Sequence, residues 1–107
     1  MTTLLCGQPK ISLEFVIDTG FTGELTLPAT VIQKLNLPLI EIITANLAND
    51  DEIEVFAHRA TIIWNNRKMN VRVLSTGKRP LLGTRLLFGS ELFVQFAEHG
   101  LVTVEGL

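Results

Sequence analysis

Between Ile11 and Ile17 the chain alternates apolar and other residues, and the pattern stops at Asp18-Thr19-Gly20. Ile11, Leu13, Phe15 and Ile17 share one face of an extended segment, because side chains alternate across a strand. Its β-branched and aromatic content favours strand over helix. A strand of this kind buries one face, and the Asp-Thr-Gly that ends it forces a tight turn. One carboxylate is thereby set at the mouth of that turn. What faces it decides what it can do.

The rest of the chain repeats this style of short segment and turn. Residues 3–6 read as a strand joined to Ile11–Ile17 by a turn over 7–9, and 24–27 as another short strand. Pro28 stands where a helix begins, and Ala29–Leu35 spaces Val31, Ile32 and Leu35 for one buried helical face before Pro38. Residues 41–48 and 52–64 form a long hairpin with Asn49-Asp50-Asp51 at its tip. Asn65-Asn66-Arg67-Lys68 makes the next turn, into a strand over 69–74. Leu81-Leu82-Gly83 is expected to open a short helical stretch ending near Gly89, and 91–96 with 101–104 form a terminal hairpin. The expected fold is mainly β: a small closed β-barrel with one or two short helices.

At 107 residues the chain is read as a single domain, 1–107, with no linker, repeat or low-complexity tract. Apolar residues are 47% of it and charged residues 19%, so part of the apolar excess is expected at a subunit interface. A net charge of −2 without a basic block argues against nucleic acid. The lone Cys6 cannot form an internal disulfide and is read as a small buried hydrophobe. No signal-peptide pattern and no run of membrane-spanning length is present, so a soluble cytoplasmic protein is expected. His58 and His99 lack metal-ligand partners at useful spacing, and no metal or other cofactor is expected.

An isolated Asp-Thr-Gly is common in ordinary turns, but its surroundings raise its weight. An apolar run into Asp-Thr-Gly, then a long hairpin, then Leu81-Leu82-Gly83 and a short helix resembles the retropepsin-like (clan AA) aspartic proteases. Asp18-Thr19-Gly20-Phe21 looks most like a prokaryotic branch of that group, with 16–28, 47–50 and 81–87 as the matching blocks. The resemblance implies a homodimer in which each copy supplies one Asp18. Two close carboxylates share a proton, one acting as base on a water and the other polarising the scissile carbonyl. It assigns Thr19 to a hydrogen bond across the twofold axis and Gly20 to close backbone approach. It further assigns Phe21, Thr22 and Gly23, with Leu47, Ala48 and Asn49 of the hairpin flap, to substrate binding. The partner expected is therefore a second copy together with a peptide or protein substrate.

Two departures qualify the resemblance. Phe21 replaces the Ala or Ser of many relatives, and its ring is expected either to line a substrate subsite or to pack at the interface. The flap reads Ala48-Asn49-Asp50 where relatives carry Ala-Asp-Gly or Ala-Asn-Gly, a turn still open to it because Asn tolerates a left-handed backbone. Asp50 and Asp51 could favour basic substrates or simply be solvated, and Arg85 could bridge to Glu24 or remain a surface charge. The alternatives in function are a catalytically inactive dimeric peptide-binding or regulatory module on the same fold, or a β-barrel with no dyad.

Overall fold

A computed structural model describes residues 2–6, 11–46 and 48–107, with side-chain burial from Ser12 onward; the expected turn over 7–9, Leu47 and the surroundings of the Cys6 thiol lie outside this. The chain runs β1 (Thr2–Cys6), β2 (Ile11–Ile17), β3 (Leu25–Leu27), α1 (Ala29–Leu35), β4 (Leu39–Asn46) and β5 (Glu52–Trp64). It continues through β6 (Arg67–Ser75), β7 (Leu81–Leu82), α2 (Thr84–Leu87), β8 (Ser90–Val94) and β9 (Val102–Gly106). No helix among the described residues is long and apolar enough to cross a membrane.

The core follows from the alternation in β2 and from three central strands. Phe15 is fully buried, with Leu13 and Ile17 packed beside it, while Ser12 and Glu14 point outward. All three residues of β3 are buried, because β3 lies between β6 (parallel) and β7 (antiparallel). Its one polar side chain, Thr26, accepts the Leu81 N–H through Oγ1 at 3.2 Å, so its burial leaves no polar group stranded. Replacing Phe15 by Ala removes an aromatic ring from this centre. Urea unfolding should show a loss of about 3–5 kcal/mol.

Helix α1 forms where the proline and the apolar spacing place it. The Pro28 carbonyl accepts the Val31 and Ile32 N–H groups at 3.0 and 3.2 Å, and Ile32 and Leu35 face the core. The helix stops at Asn36, which takes a left-handed conformation (φ 52°) that Asn tolerates. The β5–β6 turn is tighter than the four residues expected. Asn65 and Asn66 both have positive φ, and pairing already resumes at Trp64 opposite Arg67. This is the geometry of a two-residue hairpin turn.

The larger sheet has the order β1-β2-β7-β3-β6-β5-β4. It curls until Cys6 lies opposite Ile62, and there it stops: β1 and β5 meet at that one residue pair. All five residues of β1 are already paired along β2, from Thr2 opposite Phe15 to Cys6 opposite Ile11. Beyond that single pair no ladder joins β1 to β5 among the described residues, so the expected closed barrel does not form. The sheet is curled but open.

A second correction concerns Leu81-Leu82, expected to begin a helical stretch. They form β7, parallel to β2 (Val16 opposite Leu81, Ile17 opposite Leu82) and antiparallel to β3. The helix that follows is one turn, Thr84–Leu87; the chain leaves it at Phe88 (φ −57°, ψ 131°), one residue before Gly89 at φ 84°. β8 and β9 make a separate two-stranded sheet with Leu92 opposite Val104, and both side chains pack against the core.

Candidate active site

Asp18 is the first residue beyond β2, and β7 holds it in place. The Asp18 N–H donates to the Leu82 carbonyl and the Val16 N–H to the Pro80 carbonyl, both at 2.9 Å. The chain then turns back on itself, with the Phe21 N–H on the Asp18 carbonyl at 3.1 Å. Within this turn the Gly20 N–H donates to Asp18 Oδ1 at 2.9 Å. A Cβ on Gly20 would lie 3.2 Å from that same oxygen, so glycine is what lets the amide approach the carboxylate unobstructed. The Asp18 side chain is partly exposed, and Thr19 and Gly20 are exposed. One oxygen is oriented by the backbone while the loop around it stays exposed.

A second tier of bonds fastens this loop to the segment after β7. The Gly83 N–H donates to the Glu24 carbonyl at 2.9 Å, and the Arg85 N–H to the Gly23 carbonyl at 3.2 Å. Thr84 donates twice to the Phe21 carbonyl, from its N–H at 2.9 Å and its Oγ1 at 3.3 Å. Thr84 escaped the sequence analysis; its only local signal is a hydroxyl residue directly after Gly83 at a helix start. Glu24 is also occupied, its Oε1 accepting the backbone N–H of Arg72 at 3.0 Å. The Arg72 guanidinium pairs instead with Glu41, and the side chain of Arg85 is exposed.

The Phe21 ring is folded down onto two glycines. A Cβ on Gly23 would lie 2.6 Å from the ring's Cζ, and one on Gly83 would lie 2.6 Å from its Cδ2. Gly83 is the more confined of the two. Its Cβ would also overlap the Gly23 carbonyl oxygen and lie 2.7 Å from that of Phe21. Because these obstacles are backbone, they cannot swing aside. Gly83→Ala is therefore expected to cost on the order of 1–3 kcal/mol in chemical denaturation and to displace the Asp18 loop.

Asp18, Gly20, Phe21 and Gly23 thus belong to one bonded loop, with Thr22 exposed on it. Ala48 and Asn49 are exposed at the tip of the β4–β5 hairpin, whose pairing ends at Asn46 opposite Glu52. The bonds of Asn49 there are local: Nδ2 donates to Asp51 Oδ2 at 2.9 Å, and Oδ1 accepts the Asp51 N–H at 3.3 Å. The left-handed residue is not Asn49 but Asp50, at φ 66°. Asp50 occupies the place of the glycine in the flaps that the sequence resembles. Asp, like Asn, can adopt that conformation at modest cost.

A concavity of about 1140 Å³ does not include Asp18 among its walls. It lies between the β5–β6 turn, α2 and the end of β9, with Trp64, Arg85, Phe88 and Leu107 among its walls. Among the described residues no cluster of His, Cys, Asp and Glu is arranged to hold a metal ion.

No family model and no curated protein matches the sequence. Among solved structures the fold is similar to that of "EIAV protease complexed with the inhibitor HBY-793", with a TM-score of 0.60 and 19% identity over 81% of this chain and 83% of that one. At this identity the likeness is one of fold, and the fold is the retropepsin-like one that the order of Asp-Thr-Gly, hairpin and Leu-Leu-Gly suggested.

Proposed function

We propose that the chain is one half of a homodimeric aspartic endopeptidase of the prokaryotic Asp-Thr-Gly-Phe type, with residues 1–107 acting as a single domain in the cytoplasm. The observation that carries this reading is the Asp18 loop. Its carboxylate is oriented by the Gly20 amide, tied to β7, partly exposed, and set in a protease-like fold. One Asp-Thr-Gly occurs in the sequence, so a dyad requires a second copy. With two such loops face to face, one carboxylate would deprotonate a water held between them. The other, protonated, would polarise the scissile carbonyl. Thr19, exposed beside Asp18, is suited to bond across the axis.

A peptide would lie extended between the Asp18 loop and the β4–β5 flap, pairing its main chain with residues 22–23 and 47–49. Phe21 is assigned a supporting role rather than a subsite, because its ring covers Gly23 and Gly83. The ring therefore gives no ground for a blocked cleft and an inactive binding module. The test is cleavage of a random peptide library from acidic to neutral pH. Wild-type protein should cut and Asp18→Asn should not; equal cleavage by both would end the proposal.

A further inference from the structure

The large groove away from Asp18 has a charge opposite to that of the chain as a whole. The protein carries a formal charge of −2, yet Arg67, Lys68 and Arg85 line this groove against a single acidic side chain, Glu24. Glu24 Oε1 is already engaged by the Arg72 N–H. Among the described residues the ion pair is Arg72 with Glu41, which uses none of the three groove cations. Four of the eleven acidic residues, Asp50, Asp51, Glu52 and Glu54, gather instead at the flap tip.

The groove is apolar as well as basic. Trp64 and Leu86 line it, and Phe88, 90% exposed, stands beside them. So exposed an aromatic ring next to an unpaired set of cations is what a binding surface needs: an apolar anchor within an electrostatic guide. The Asn65-Asn66 turn has both residues at positive φ, and Gly106 lies so close to it that a Cβ there would sit 3.3 Å from Asn65 Nδ2.

From these observations we infer that the groove docks an extended acidic segment of a partner protein, with an apolar side chain of that segment seated against Trp64 and Phe88. A second copy of this chain is a poorer occupant. Closing groove on groove about a twofold axis would set three cations against three. The groove does not include Asp18 but borders its loop, because Thr22 lines it. Arg85 lines the groove with its side chain and holds the Gly23 carbonyl with its N–H.

Trp64 is the only tryptophan in the chain, and tyrosine is absent, so its emission reports on the groove directly. The experiment titrates Asp18→Asn protein, which keeps the probe uncut, with a short synthetic peptide of Asp and Glu interrupted by leucines. Because it measures binding and not cleavage, its outcome is independent of whether the chain is a protease. A saturable change in Trp64 emission is expected, weakening with salt. Affinity should fall about tenfold or more in Arg67→Glu/Lys68→Glu, and by less in Arg85→Gln. Both variants change exposed side chains, and circular dichroism checks their folding. The inference is overturned by no saturable change, by equal binding of a peptide with Lys in place of the acids, or by unchanged affinity in both variants. An equal response to inorganic sulfate would reduce the groove to a simple anion site. A shift in Trp64 emission with protein concentration alone would make a second copy the occupant. Either result would equally overturn it.

Discussion

Asp18→Asn is expected to abolish peptide cleavage while leaving the fold intact. The amide keeps an oxygen where Asp18 Oδ1 now accepts the Gly20 N–H at 2.9 Å, so the turn retains its bond. The backbone ties of Asp18 to Leu82 and Phe21 involve no side-chain atom and persist. What disappears is the ability to take or give a proton at the mouth of the loop. In a homodimer the substitution enters both halves, so neither base nor acid remains. Loss of a general base with its paired acid lowers turnover by on the order of a thousandfold or more. The measurement compares kcat on one peptide selected from the library, with thermal unfolding as the check on folding. Cleavage by Asp18→Asn within tenfold of wild type would remove Asp18 from the chemistry.

The second large effect concerns how two loops are brought together. The β8–β9 hairpin is a two-stranded sheet standing alone, and such a pair is marginal by itself. One face is anchored, through Leu92 and Val104, on the core. The apolar surface around the hairpin is not covered: Phe93 is 53% exposed, Phe96 97% and Leu101 56%. Two copies joining these hairpins would pair free strand edges and bury those side chains together. Deleting 101–107 should abolish dimers in sedimentation, but it also removes β9 and its contact with the core. The sharper variant is Phe96→Glu with Leu101→Glu, since side chains this exposed contribute little to folding of the single chain. Dimer dissociation should strengthen by on the order of a hundredfold or more, and cleavage should fall with it. A dimer of wild-type strength in this variant would place the interface elsewhere.

Several parts of this architecture were legible because their causes are local. Helix α1 runs over Ala29–Leu35 as expected, since Pro28 and the spacing of Ile32 and Leu35 act within one turn of chain. The β4–β5 and β5–β6 hairpins likewise follow from polar turn residues between β-rich runs. Leu81-Leu82 was not legible. Two apolar residues carry no periodicity, and helix and strand look alike over so short a run. Their state is decided by β2 and β3, including the Thr26 hydroxyl 55 positions away in sequence. Phe21 could not be placed for the same reason, because its ring rests in part on Gly83, beyond the whole flap.

By itself, then, the amino-acid sequence determined that an alternating strand ends in a turn bearing one carboxylate, and that a hairpin and a Leu-Leu-Gly segment follow it. Those are consequences of side-chain alternation and turn chemistry, which act over a few residues. Only the tertiary structure decided that β7 grips the Asp18 loop, that Asp50 takes the left-handed place in the flap, and that the sheet stays open at Cys6 and Ile62. These depend on which distant strands pair and on where that pairing stops. Short-range preferences do not carry that information; the closing of long loops by buried contacts supplies it.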